Sequence, residues 1–200
     1  MAPPALQKTE YHSRHVDIPD EYLVAQPHDA KPMELRKIEF ENTVLPQYKP
    51  FYAVTIDNVL SSSECARFLE LVEASVRDED RTAEGSPWRP AMVNAGQGYE
   101  VLEPLYRNSD RIIWDSEALA DRLWARLAAV PGVREQLGAP FNEARLMPSL
   151  RRGRPRGDWA FHRVNRRLRC LRYGPGQFFR PHCDGAYSET TPDGGVLRTH

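Results

Sequence analysis

Residues Leu171 to Gly185 read Leu-Arg-Tyr-Gly-Pro-Gly-Gln-Phe-Phe-Arg-Pro-His-Cys-Asp-Gly. A β-rich run, a Gly174-Pro175-Gly176 turn and a second apolar run closed by Gly185 predict two strands joined by a tight reversal. No helix crosses such a turn, because proline lacks an amide donor and glycine favours angles that other residues avoid. In an extended segment, residues two apart project to the same face. His182 and Asp184 are therefore expected to point together, with Cys183 opposite. An imidazole beside a carboxylate makes two corners of a facial triad, which holds ferrous iron and leaves coordination positions open. Tyr173 precedes His182 by nine residues. It sits on the leading strand, where its hydroxyl can meet whatever fills those positions.

Spacing alone does not single out this pair. His15-Val16-Asp17 has the same spacing, but lies in a polar, proline-dotted stretch with no apolar strand before it and no glycine after it. His15 and Asp17 are read as solvated. For His182 and Asp184 the plainer alternative is a strand-end salt bridge or a hydrogen-bonded turn.

Residues 1–48 show neither helical nor strand periodicity and predict a mostly disordered arm, with one short strand near Ile38 to Phe40. Order is expected from Phe51-Tyr-Ala-Val-Thr-Ile56, whose composition predicts a strand. Ser61-Ser-Ser-Glu64 offers a capping box. The helix it opens is expected to run to about Arg77, burying Cys65, Phe68, Leu69, Val72 and Val76. Residues 78–98 are expected to form a loop. Arg111 to Trp114 predicts a strand, and Asp115 or Ser116 caps a second helix with Leu119, Leu123, Trp124 and Leu127 inward. Pro131-Gly132 ends that helix.

Seventeen prolines and 28% charged residues imply long irregular segments beside a core. Three cysteines make no disulfide framework, and the N-terminus opens on no apolar run. A cytoplasmic or nuclear protein with no membrane span is the expectation. Arg145 to Arg172 holds ten arginines against one acidic residue, Asp158. Its Arg151–Arg156 segment, with Arg152-Gly-Arg-Pro-Arg156 at its heart, is similar to the core of an AT-hook, which inserts arginines into narrow A·T minor grooves. That is the second reading: a non-catalytic nucleic-acid-binding protein. The plainer account is a solvated basic loop continued by Arg167, Arg169 and Arg172 on an exposed strand face.

The stretch Asn165 to Tyr187 resembles the iron-binding segment of the prolyl 4-hydroxylase-like branch of the 2-oxoglutarate, Fe(II)-dependent dioxygenases. Tyr173-x-x-Gly176 before His182-x-Asp184-Gly185 follows that branch's pattern. Val54 to Ser61 with Glu64-Cys65, and Tyr106-Arg-Asn-Ser109, resemble it more loosely. The resemblance spans roughly residues 50–200 and implies an α+β fold, a double-stranded β-helix (jelly roll) with packed N-terminal helices over 49–200. It implies Fe(II) held by His182 and Asp184, Tyr173 hydrogen-bonded to 2-oxoglutarate, O2 as oxidant and ascorbate keeping the iron reduced. The implied substrate is a peptidyl-proline or a small molecule, and no oligomeric state follows. The branch also has a second histidine and a basic anchor for the cosubstrate carboxylate well downstream. Only His200 follows Asp184 among histidines, with 16 residues left, against roughly 60–80 for the remaining strands. The resemblance therefore implies an incomplete barrel, a fragment inactive on its own.

Overall fold

The computed structural model describes residues 5–27, 30–49, 51, 53–138, 161–182, 184, 187–190 and 194–199. In chain order the strands are β1 (Leu6–Lys8), β2 (Glu34–Lys37), β3 (Val54–Asp57), β4 (Arg89–Pro90), β5 (Val93–Gly96) and β6 (Tyr99–Val101). They continue as β7 (Arg107–Asn108), β8 (Asp110–Asp115), β9 (Arg167–Arg172), β10 (Phe178–Phe179), β11 (Tyr187–Thr190) and β12 (Val196–Thr199). The helices are α1 (Ser62–Ala74), α2 (Glu117–Ala128) and α3 (Val133–Gly138). Among the described residues the fold is mixed α+β, with small antiparallel sheets, few helices and no closed barrel. Two units form, a helical one of Tyr11–Trp88 with Ile112–Cys170 and a sheet unit of Met1–Glu10, Arg89–Arg111 and Leu171–His200.

In the helical unit α1 starts where its sequence directs. Ser61 Oγ accepts from the Glu64 amide at 3.2 Å, and the Ser61 amide donates to Glu64 Oε2 at 2.8 Å. The helix stops at Ala74, short of Arg77, where the Ser75 hydroxyl donates to the Val72 carbonyl at 2.7 Å. Its buried stripe is Glu64, Leu71, Val72 and Ser75, with Phe68 partly buried. Val72 and Val76 are inside as expected, but Cys65 is exposed and Leu69 is 49% exposed. The cause is Glu64. Its Oε1 lies 2.7 Å from Arg126 Nη1 on α2, with the two side chains 9% and 4% exposed. Burying residue 64 rather than 65 turns the helix by about 100°. Arg126 also donates to the carbonyls of Val59 at 3.2 Å and Ala25 at 2.8 Å. Ions this deep need such added partners to offset desolvation.

Ser116 caps α2, its Oγ accepting from the Leu119 amide at 3.3 Å. Leu119 and Ala120 are buried, with Leu123, Trp124 and Leu127 partly so. Ile112 and Trp114 alternate into the core from β8. Asp115 takes two bonds from Arg167, at 2.8 and 2.7 Å, and that guanidinium holds its carboxyl below the usual range. Asp110 pairs with Arg172 at 2.8 Å. The two pairs run in opposite order along β8 and β9, neighbours in one sheet, so these strands are antiparallel.

The N-terminal stretch differs from the disordered arm expected over 1–48. Tyr22 and Leu23 join Leu71, Val72, Trp88, Ile112, Trp114 and Leu119 in the core. The Tyr22 hydroxyl donates to the Glu64 carbonyl at 2.8 Å, and burial together with the Glu64 charge pushes it up to about 12. Arg122 donates to the carbonyls of Pro19 and Tyr22 at 2.6 and 2.9 Å. The strand expected near Ile38 is β2, a few residues earlier, paired with β3 from Glu34↔Asp57 to Lys37↔Val54. A few apolar residues in a polar run anchor this segment without giving it a period, so composition misreads it.

In the sheet unit, β4 and β5 occupy the far half of the stretch expected to be a loop, and β6 follows directly after it. Gln97 and Gly98 have φ of 53° and 78°, the two left-handed positions of a type I′ reversal between β5 and β6. The sheet order is β1-β6-β5, with Leu6 opposite Val101 and Val101 opposite Val93. On the other face Glu100 is buried and accepts from Arg111 Nη2 at 2.8 and 3.1 Å. Strands β11 and β12 form a hairpin carrying Arg198 and Thr199. No described helix is long and apolar enough to cross a membrane.

Candidate functional site

The turn that leads to His182 is built from its own residues. Pro175 fixes the second position, Gly176 takes φ 78° at the third, and the Gln177 amide donates to the Gly174 carbonyl at 3.0 Å. That is a type II reversal, for which Pro-Gly is the fitting pair. The Gln177 side chain closes it from the other side, its Oε1 accepting from the Gly174 amide at 2.6 Å. The strands on either side, β9 and β10, do not pair with each other. β9 lies beside β8, and β10 pairs with β7, placing Phe179 opposite Arg107 and Phe178 opposite Asn108.

His182 and Asp184 lie beyond the second strand, which ends at Phe179. This corrects the expectation that one extended strand carries both. The side chains nevertheless converge, with His182 Nε2 3.7 Å from Asp184 Oδ1. Three contacts set the imidazole. Its ring stacks on Phe179 with centroids 3.6 Å apart and planes at 26°. Nδ1 lies 2.8 Å from the Arg180 carbonyl. A carbonyl only accepts, so Nδ1 carries the hydrogen and, in the neutral ring, Nε2 carries the lone pair. Arg180 is itself held, its amide donating to the Tyr106 carbonyl at 3.0 Å and its Nε to the Leu105 carbonyl at 2.7 Å. In the neutral ring Nε2 and Oδ1 are then two electron-pair donors side by side, too far apart for a hydrogen bond. A cation between them, or a proton on Nε2, satisfies both. His182 keeps 32% of its side chain exposed and Asp184 99%, so the pair is open to solutes.

The other pair of equal spacing behaves differently. His15 Nε2 lies 3.0 Å from Asp17 Oδ1, at hydrogen-bond distance, with the side chains 88% and 100% exposed. It is a solvent-exposed hydrogen-bonded pair, as its surroundings predict. Tyr173 follows β9 and is 46% exposed, and among the described residues its hydroxyl makes no hydrogen bond. The structure thus brings His182 and Asp184 together and leaves Tyr173 open to solvent. No group of three His, Cys, Asp or Glu side chains gathers among the described residues. Cys183, His200 and the arginine-rich Arg151–Arg156 segment lie outside them. Of the basic residues that follow it, Arg167 and Arg172 are engaged by Asp115 and Asp110.

Sequence reasoning missed the aromatic support. The guanidinium carbon of Arg107 sits 4.4 Å from the Phe179 centroid, and the Tyr106 ring meets Phe179 edge-on at 5.6 Å and 86°. The signal was present as Tyr106-Arg107 and Phe178-Phe179, but only strand pairing shows that they meet. In the helical unit a half-open cavity of about 420 Å³ is lined by Leu23, Val24, Met33, Arg122, Ala125 and Ala129 among others. Arg122 and Arg126 there donate to backbone carbonyls or to Glu64.

The donor set at residues 182 and 184 fits two corners of a divalent first-row metal site: an imidazole whose Nδ1 is committed to a carbonyl, leaving Nε2 to face outward, and a carboxylate. Comparison of the chain with protein-family models, with curated proteins and with solved structures finds no match.

Proposed function

We propose that the chain carries the iron-binding half-site of a 2-oxoglutarate-dependent dioxygenase of the prolyl 4-hydroxylase-like branch, its small sheets being parts of a jelly roll. The observation that carries this reading is the pairing of His182 Nε2 with Asp184 Oδ1 at 3.7 Å beside an Nδ1 already committed to the Arg180 carbonyl. Fe(II) with 2-oxoglutarate would supply hydroxylation of a C–H bond: one oxygen atom of O2 enters the substrate and the other enters succinate as CO2 leaves, while ascorbate keeps the iron reduced between turnovers. His182 and Asp184 would supply two of the metal's protein ligands, and the third comes from outside the described residues. Tyr173, its hydroxyl open, is the residue that would hydrogen-bond the cosubstrate. The substrate class is a prolyl residue or a small molecule presented to the exposed side of Asp184.

Linkage between metal and cosubstrate tests this reading. Two ligands that bind each other favourably in one site raise each other's affinity by the same factor. Mn(II) titration of the full chain, followed by electron paramagnetic resonance, should show binding tightened severalfold by 2-oxoglutarate. The enhancement should vanish in His182→Ala and shrink in Tyr173→Phe. Mn(II) binding indifferent to 2-oxoglutarate would remove the dioxygenase reading.

A further inference from the structure

We propose that Arg107 is a positioning residue for His182, acting through the ring of Phe179; the inference rests on the reading of His182 as a metal donor. The β7–β10 register puts Arg107 directly opposite Phe179. Over that ring lie two groups, the Arg107 guanidinium carbon at 4.4 Å and the His182 imidazole at 3.6 Å from its centroid. Two groups of that size cannot share one face at those heights, so Phe179 is sandwiched between them. Tyr106 closes the edge at 5.6 Å.

The sandwich and the hydrogen bond do different work. A stack alone fixes the plane of an imidazole but lets it spin within that plane. A single hydrogen bond to Nδ1 fixes one atom but lets the ring swing. Together they aim Nε2, and the carbonyl that holds Nδ1 belongs to Arg180, whose amide and side chain are both tied to Leu105 and Tyr106. One short segment, residues 105–107, therefore controls both restraints. The planar guanidinium suits this task, since it stacks flat on an aromatic face where a lysine ammonium presents a point charge. Hydrogen-bonded outer partners of a metal-binding histidine, as the Arg180 carbonyl would be here, are worth about 10- to 100-fold in metal affinity.

The test reads His182 directly. Long-range proton–nitrogen NMR of the full chain, with His182 assigned by its loss in His182→Ala, should show the Nδ1–H tautomer and ring protons shifted upfield by Phe179. In Arg107→Gln the upfield shift should shrink and the Nε2–H tautomer should appear, while the amide resonances of Phe178 and Asn108 keep their positions. Mn(II) affinity should fall about tenfold alongside. A wild-type His182 with unshifted ring protons and the Nε2–H tautomer overturns the proposal without any variant. So does an Arg107→Gln chain whose His182 signals match wild type. A wild-type chain that binds no Mn(II) sinks the metal reading instead, and the NMR comparison still decides the role of Arg107.

Discussion

Gly176 holds φ at 78°, where an L-residue strains its Cβ against the following carbonyl. Gly174, on the other side of Pro175, has no such angle, and a Cβ there meets nothing closer than 3.6 Å. Gly176→Ala should therefore cost about 1–2 kcal/mol in urea unfolding, and Gly174→Ala well under 1 kcal/mol. Equal losses at the two positions would contradict the type II assignment. This turn was legible because Pro and Gly carry their own backbone restrictions, whatever surrounds them. Cysteine behaviour was not legible, since burial is a property of the fold. Desolvation pushes the Cys170 thiol from 9.0 up to about 11, whereas Cys65 lies exposed. A folded state that keeps its proton loses stability once the unfolded chain can release it. The Cys170 contribution is whole below about pH 9 and declines as pH rises through 11. Peptide mapping after alkylation at pH 8 should find Cys65 labelled first and Cys170 only on unfolding. Prompt labelling of Cys170 would count against its burial.

At the scale of elements, α1 and α2 are joined by a charge pair that no apolar pattern announces. The pattern found both helices, named the Ser61 cap, left the second cap between Asp115 and Ser116, and placed Leu119 and Val72 inside. It put the α1 stripe one residue out because Glu64 reads as a surface residue until Arg126 is opposite it. Removing one partner of such a pair leaves the other buried and unpaired, costing about 3–5 kcal/mol. Arg126→Met should lower stability by that amount, and Arg126→Met with Glu64→Gln should recover part of it, keeping an amide for the Ser61 cap. A single variant as stable as wild type would show the pair to be solvated. The segment Tyr11 to Val24 belongs to the same layer. Tyr22 and Leu23 each gain about 1.5–3 kcal/mol from burial, a large share of a domain's 5–15 kcal/mol. Deleting residues 1–24 should therefore broaden or abolish the thermal transition followed at Trp88 and Trp114, and a deletion that melts as sharply as the full chain would contradict their place in the core.

For the whole molecule, the sequence named strands better than it named their partners. β1 pairs with β6, more than ninety residues away, and β10 leaves its neighbour across the turn to pair with β7. Pairings of that range depend on side chains meeting in three dimensions, which local pattern does not encode. The α+β class was therefore readable, while the aromatic sandwich on Phe179 was not. The candidate site lay between these cases. His182 and Asp184 were chosen for their spacing and their glycine, and they do converge, but beyond the end of a short strand rather than along one. The claim that most depends on this convergence is that residues 182 and 184, and not 15 and 17, hold a divalent cation. Mn(II) titration of the full chain and four single alanine variants decides it. His182→Ala and Asp184→Ala should abolish a weak site, and His15→Ala and Asp17→Ala should leave it unchanged. Equal loss from both pairs, or a site that survives His182→Ala, would contradict the account.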